Sequence, residues 1–457
     1  MSGLQRTVER FHDWEPLPIE GEIPTALRGT LIRTGPGVFE RFGRRLSHSF
    51  EADGALMALR LDGDGEAHGA VRIVESPGYR EEQAAGRPLF GTAAPRWRRI
   101  ANGLTGRVKT TGNTNVMRWQ GQTYALMEGG RPVEIDAATL GTREVADFGG
   151  VLGAAFSAHP HRVASLRSAF NFGQVWGPKP ALDLYALPDE GPARKLGRVP
   201  IPWNTMVHDF AVTERHAVFV ICPAKLRLGK ALLGSPDFDQ YFAWDPQAGA
   251  ELIIVSLSDP TQVSRHAIDG RWVFHLSNAF ERGSDLVVDW VQYPDFEVFS
   301  ALSGDGGLAD FAGPHVRRLT VDLQRSRLRS DEVLWERACD FPVLPGGRFG
   351  HEYSTCWYAK EGEGFAGGIA RLDVETGEAD VWDAGPGHSA SEAVFVRRPG
   401  ATRDDDGWLL SLVYDGWKTR SYFAVFDADR PSAGPLAKMW LDQPLPLSFH
   451  GTFVPRA

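Results

Sequence analysis

The chain has 457 residues, 42% of them hydrophobic and 23% charged, which is enough apolar material for a large buried core and excludes a disordered, collagen-like or coiled-coil protein. Its 49 basic and 58 acidic residues leave a net charge of −9, the wrong sign for a general nucleic-acid binder, so no nucleic-acid partner is expected. The three cysteines, Cys222, Cys339 and Cys356, are widely and irregularly spaced, a pattern that supports neither a disulfide framework nor a thiolate metal site.

The opening stretch MSGLQRTVERFHDWEPLPIEGEIP has no apolar core of signal-peptide type, and eighteen apolar residues nowhere run together, so a cytoplasmic protein is expected. Stretches with helical periodicity are scarce, while 51 Gly and 30 Pro punctuate many short strand-like runs, which predicts an all-β fold. One pattern recurs, a short apolar strand, a polar turn and a second short strand. In chain order it reads MALRLDGDGEAHGAVRIV from Met57, VEIDAATLGTREVADFG from Val133, LDLYALPDEGPARKLGRVPI from Leu182, and IIVSLSDPTQVSRHAI from Ile253. It returns as RLTVDLQRSRLRSDEVLW from Arg318, IARLDVETGEADVWD from Ile369, and FAVFDADRPSAGPLAKMWL from Phe423.

Seven such hairpins predict a seven-bladed β-propeller, each hairpin forming the outer half of one blade. The alternative is a set of unrelated hairpins in one or two β-sandwiches. No linker divides the chain, so residues 1–457 are read as a single domain. The repeat is longer than the roughly 40–50 residues of a minimal blade, and the surplus belongs in loops. The least regular stretches, residues 77–110, 222–245 and 336–366, are expected to form a loop and helix cap over one face.

Most of the thirteen histidines lie in ordinary surroundings; His12, His68, His266 and His315 sit in polar or turn-like sequence. Four differ. His159 in GAAFSAHPHRV, His208 in WNTMVHDFAVTE, His275 in GRWVFHLSNAFE and His450 in PLPLSFHGTFV each end an apolar run and precede small or polar residues. An inner strand would deliver such a side chain to the propeller axis. The spacings correspond to roughly one, one and three blades, so four blades can each offer one imidazole to a common metal ion without any short HxH motif. Buried structural histidines are the alternative.

The four His-bearing motifs resemble those of the carotenoid cleavage oxygenase family. So do RTGPGVFE from Arg33, HSFEADGAL from His48, GNTNVMRW from Gly112, ALMEGGRPVEID from Ala125, and EAVFVRRPGATRDDDGWLLSLVYD from Glu392. The matches run from residue 33 to 454 in the family's order. The resemblance implies a propeller carrying a non-haem Fe(2+) held by His159, His208, His275 and His450. It also implies carboxylates behind them at Glu128, Glu392 and Asp340, the last standing where the family usually has Glu, one methylene longer. The implied reaction is oxidative cleavage of one C=C bond, with O2 ending as the oxygens of two carbonyl products. Four protein nitrogens leave two positions free on an octahedral ion, as an O2-dependent reaction requires.

Family members that cleave phenolic stilbenes carry a Lys just before the first of these acids and a Tyr after the LFG segment. Here Met127 precedes Glu128, and LFG continues as TAAPRWRR without Tyr. A phenol oxygen would be stranded in an apolar channel at a cost of roughly 1–3 kcal/mol, so a long apolar conjugated substrate, an apocarotenoid, is the first expectation. Cleavage of a stilbene or phenylpropenoid, and a non-enzymatic scaffold with structural histidines, are the alternatives. By resemblance, Met127, Met206, Phe274 and Phe341 line the substrate channel. Residues 222–238 mix Leu226, Leu228, Leu232 and Leu233 with Lys225, Arg227 and Lys230, a composition suited to peripheral membrane contact and equally to a loop packed on its own domain.

Overall fold

The computed structural model describes residues 4–303, 313–362 and 366–456. Every hairpin read from the sequence is the outer half of an antiparallel sheet, and the seven sheets are the blades of a propeller. Blade 3 shows the pattern: His161–Val163, Ser168–Val175, Ala181–Pro188 and Arg194–Pro200 lie side by side in chain order. Ala181–Pro188 is buried along almost its whole length, whereas Arg194–Pro200 is mostly exposed. A strand pressed between two neighbouring blades is apolar on both faces and reads as a continuous hydrophobic run, while the outermost strand turns polar.

The ring is closed from both ends of the chain. Gly451–Pro455 pairs with Gly29–Val38 and becomes the innermost strand of blade 1. Ile19–Gly21 pairs with Ala437–Trp440 and becomes the outermost strand of blade 7. Both terminal segments therefore sit inside ladders whose hydrogen bonds must break before the ring can open. The innermost strands of blades 2 to 6 are Asn115–Trp119, His161–Val163, Ala211–Val212, Trp272–Arg282 and Cys339–Val343; in blade 7 His388–Ala390 and Val394–Arg397 share that place.

Residues 77–110 carry two helices, α1 (Pro77–Ala85) and α2 (Arg96–Thr105). The Ser76 hydroxyl accepts the Tyr79 N–H, Pro77 opens α1, and Gly86 ends it in the left-handed region at φ 60°, the residue chemistry these positions favour. Residues 222–245 carry α3 (Leu228–Leu232) and a small ladder of Ala224–Leu226 with Phe242–Trp244. The third expected segment, 336–366, is corrected by the structure. Cys339–Val343 and Thr355–Lys360 are the two inner strands of blade 6; both are short, mostly buried runs, and the prolines and glycines between them disguise the pair, while residues 363–365 lie outside the described residues. A further covering element is α4 (Glu297–Ala301), whose Phe299 packs against Phe238 and Phe242. No helix among the described residues is long and apolar enough to cross a membrane.

Candidate metal centre and substrate chamber

All seven blades contribute to one point near the axis. His450 directly precedes the inner strand of blade 1, His159 and His208 precede those of blades 3 and 4, and His275 lies within that of blade 5. The three acids come from the other three blades: Glu128 follows Gln122–Leu126 of blade 2, Asp340 lies in Cys339–Val343 of blade 6, and Glu392 joins the two inner strands of blade 7. The four imidazoles are buried, and one nitrogen from each falls within 4.8 Å of the other three.

His159 Nε2 and His208 Nε2 are 2.9 Å apart, and His275 Nε2 and His450 Nε2 are 3.3 Å apart. The far side of the rings decides what these contacts mean. His275 Nδ1 lies 2.7 Å from Asp340 Oδ1 and His450 Nδ1 lies 2.8 Å from Glu392 Oε1, so each ring donates its Nδ1 proton to a carboxylate and presents a lone pair at Nε2. Two buried lone pairs at 3.3 Å repel unless a proton or a metal ion lies between them. Nitrogens bound to one ion at about 2.1 Å stand about 3–4 Å apart, which matches the observed spacing. The residues present therefore fit a metal ion held by four nitrogens. Glu128 Oε1 faces His208 Nδ1 at 3.1 Å and His159 Nε2 at 3.9 Å.

The electrostatics agree. Burial and the three neighbouring imidazoles hold His159 well below its ordinary pKa, so it stays neutral, as a ligand must. Burial likewise pushes His450 down, against the pull of Glu392. His275 goes the other way: burial would lower it, but Asp340 outweighs that and raises it. Burial would raise Asp340, yet His275 and the Tyr293 hydroxyl keep it below the usual carboxylate range. Tyr293 donates its buried hydroxyl to Asp340 Oδ2, so the shorter Asp reaches His275 with one oxygen and is held by Tyr293 at the other. Behind Glu392 lies Arg33, fully buried, donating to Ser448 Oγ at 2.8 Å and the Phe449 carbonyl at 2.7 Å, with Glu392 Oε2 at 3.8 Å.

Beside the imidazoles is a small pocket of about 20 Å³ lined by Phe274 and Phe341 together with His208, His275 and His450. Phe341 adopts φ 56°, a strained backbone for a bulky residue; its N–H donates to Asp340 Oδ1, and its ring lies against His275 and His450. Between the cap and the propeller face lies a larger, mainly apolar cavity of about 390 Å³, lined by Met127 and Met206 and by Phe90 and Phe238 of the cap. That volume is typical of small-molecule sites. Phe50 and Thr114 line both cavities, which places the junction between chamber and imidazoles at these two residues. Sequence reasoning missed Phe50, Thr114, Tyr293 and Arg33 as participants; Arg33, Phe50 and Thr114 nevertheless sit inside the motifs RTGPGVFE, HSFEADGAL and GNTNVMRW.

The family model described as retinal pigment epithelial membrane protein matches residues 6–455. Apocarotenoid-15,15'-oxygenase of Synechocystis is 30% identical, the alignment covering 99% of this chain and 96% of that protein. Lignostilbene-alpha,beta-dioxygenase isozyme III of Sphingomonas paucimobilis is 28% identical over 99% and 96% of the two chains. Isoeugenol monooxygenase of Pseudomonas nitroreducens is 26% identical over 96% and 94%. Among solved structures, cobalt-substituted Synechocystis apocarotenoid oxygenase superposes with a TM-score of 0.89 at 27% identity, covering 100% of this chain and 98% of that one. With a seven-bladed ring, a converging quartet of imidazoles and a matching family model over nearly its whole length, the chain belongs to the carotenoid cleavage oxygenase family, whose members cleave C=C bonds with oxygen.

Proposed function

We propose that this chain is a non-haem iron dioxygenase that cleaves one double bond of an apocarotenoid into two carbonyl products, with Fe(2+) held by His159, His208, His275 and His450. The observation that carries the reading is the pair of carboxylate-anchored imidazoles, His275 and His450, whose remaining nitrogens face each other at 3.3 Å. Iron bound there would supply the redox chemistry that lets O2 react with an alkene. The protein's own groups do the rest. Asp340, Glu392 and Glu128 orient the rings and offset the ion's charge, since four neutral imidazoles leave it uncompensated. Phe274 and Phe341 exclude water beside the ion, and Met127 and Met206 give the chamber an apolar, adaptable wall.

The chamber supports an apolar polyene over a phenol. Where phenol-cleaving members resemble one another in carrying a Lys, Met127 stands, its sulfur accepting the Thr111 N–H at 3.0 Å. Of the five cations among the described residues that line the same cavity, Arg41 and Lys109 are each bound by both Asp53 and Glu82, Arg107 pairs with Glu81, and Arg99 donates to the carbonyls of Thr92, Ala94 and Gly234, with exposed Arg44 at the edge. The first four are engaged elsewhere and do not replace that lysine. The relatives named for isoeugenol and lignostilbene keep the phenylpropenoid reading as the second one. Incubation with an apocarotenal and with a hydroxystilbene under 18O2 separates the two: labelled aldehydes from the apocarotenal are expected, and cleavage of the stilbene alone would overturn the substrate assignment.

The same reading includes peripheral membrane contact. Leu228 and Leu233 on and beside α3 are exposed, and Gly103 of α2 lies against Leu232, so the two helices form one surface. It carries Trp97 and Leu104, 60% and 71% exposed, with exposed Arg96, Arg107, Arg227 and Lys230 around them. Apolar side chains rimmed by cations suit a bilayer surface, where a polyene is delivered.

A further inference from the structure

Three of the four imidazoles belong to segments that meet at a single carboxylate. Asp209 directly follows His208 and is buried. Its Oδ1 accepts the ring N–H of His161 at 2.7 Å and the backbone N–H of Phe210 at 2.7 Å, and its Oδ2 accepts the backbone N–H of Leu276 at 2.9 Å. His161 is two residues beyond His159 in blade 3, and Leu276 is one residue beyond His275 in blade 5. The ladder of blade 5 is irregular on both sides of Leu276, which leaves its N–H turned toward Asp209 rather than bound in regular pairing. A neighbouring hydroxyl repeats the link on a smaller scale: Ser157 Oγ donates to the His208 carbonyl and accepts the His159 N–H, both at 3.2 Å.

Asp209 lines neither cavity, so it does not meet substrate. Its ring partner His161 is packed between Phe210 and Phe349, at 5.3 and 4.8 Å, and is buried. A carboxylate saturated by donors from three blades, each within two residues of a metal-facing imidazole, is a brace between those blades. Three blades that close independently would leave the angles between His159, His208 and His275 free to vary with every small rotation of one blade against the next. The brace removes that freedom.

We propose that Asp209, with His161 as its ring partner, is a positioning residue that sets the relative angles of His159, His208 and His275 and so preorganises the ring for its ion. This rests on the metal reading given above. Asp209→Asn would replace one acceptor oxygen with an NH2 group that must face a backbone donor, the Phe210 N–H on one side or the Leu276 N–H on the other, donor against donor. Losing a partner bonded directly to a metal-facing ring typically weakens metal binding by about 10–100-fold; Asp209 acts one step further out, through His161 and two backbone N–H groups, so the effect is expected at the lower end of that range.

The test uses the metal-free full chain and Co(II), whose visible d–d bands report ligand geometry. Parent, Asp209→Asn, His161→Phe and Asp183→Asn are titrated with Co(II) and melted thermally. Asp183 is the control, a buried carboxylate that binds Arg198 and Lys195 on blade 3, away from the ring. The expected result is an affinity for Co(II) about tenfold weaker in Asp209→Asn, the lower end of the effect of losing a direct partner, with displaced d–d bands, and a smaller change of the same kind in His161→Phe. Asp183→Asn should melt lower and keep both the affinity and the spectrum. Asp209→Asn that binds Co(II) within about twofold of the parent, with an unchanged spectrum, overturns the proposal whatever its melting temperature. If Asp209→Asn does not fold, His161→Phe decides by the same two readouts. A parent protein that takes up no Co(II) overturns the metal reading and this inference with it, a result distinct from unaltered binding in the variants.

Discussion

Glu392→Ala would strike two buried groups at once, and the structure separates the consequences. The first is the Nδ1 of His450, whose carboxylate partner at 2.8 Å is lost; the ring then chooses its tautomer and orientation freely, and metal affinity should fall by about 10–100-fold. The second is Arg33. Its guanidinium is fully buried, and its charge is balanced by Glu392 at 3.8 Å, with burial pushing its pKa down to about 10 against the pull of that acid. Deleting one member of a buried ion pair typically costs about 3–5 kcal/mol, because the other charge is left unpaired. With an unfolding entropy of about 2.1 cal/mol/K per residue, a chain of this length shifts its Tm by about 1 °C per kcal/mol, so the variant should melt about 3–5 °C lower. Glu392→Gln keeps an acceptor for the ring N–H but loses the charge; it should retain most of the metal affinity and still melt lower. Calorimetric melting of the metal-free chain together with Co(II) titration measures both quantities. A Glu392→Ala protein that melts like the parent and binds Co(II) as tightly would refute the reasoning.

Three further expectations follow from other parts of the molecule. Met127→Lys places a charge in the mainly apolar chamber and should lower kcat/KM for an apocarotenal by at least about tenfold, since the ammonium must lose water where the apolar polyene lies against it; measurement of a hydroxystilbene in parallel should show the ratio of the two substrates moving toward the phenol. Trp97→Ser and Leu104→Ser each remove a side chain worth about 1.5–3 kcal/mol when buried, so each should weaken binding to anionic vesicles by about tenfold or more in a flotation assay; vesicle binding that stays unchanged would remove α2 from the membrane surface. His48 Nδ1 accepts the Phe50 N–H and its Nε2 lies 3.1 Å from the Phe299 carbonyl, so a second ring proton would face a donor, and burial depresses its pKa to about 3. The unfolded chain binds a proton below about pH 6.5 while folded His48 does not, so this residue makes stability fall with pH between about 6.5 and 3, by about 1.4 kcal/mol per pH unit. Denaturant melts at pH 5 and pH 7 should show a smaller pH difference in His48→Asn than in the parent.

The architecture was legible because each blade announces itself locally. Hairpins such as LDLYALPDEGPARKLGRVPI combine an apolar run, a polar turn and a polar outer strand, and all seven lie where the sequence places them. The histidines were legible because each closes an apolar run next to the axis. Blade 6 was harder: Pro342 and the glycines after it interrupt two short buried runs, so strand residues 339–343 and 355–360 read as cap. The bracing groups were hidden for a different reason. Tyr293 reaches Asp340 across 47 residues, Asp209 reaches Leu276 across 67, and Arg33 reaches Phe449 across 416, and hydrogen bonds of that span have no periodic signature. The carboxylate immediately after His208 and the second histidine in AHPH were signals in plain view, but only blade packing reveals that they face each other. The left-handed backbone of Phe341, immediately before Pro342, likewise runs against local preference, and its ring lies against His275 and His450.

One titration tests the four-imidazole centre most directly. Metal-free protein is titrated anaerobically with Fe(2+), and bound iron is counted per chain for the parent and for His275→Ala. The prediction is saturation at one iron per chain in the parent and loss of that site in the variant. An absence of uptake in the parent, or equal uptake in both, would contradict a centre built from four imidazoles.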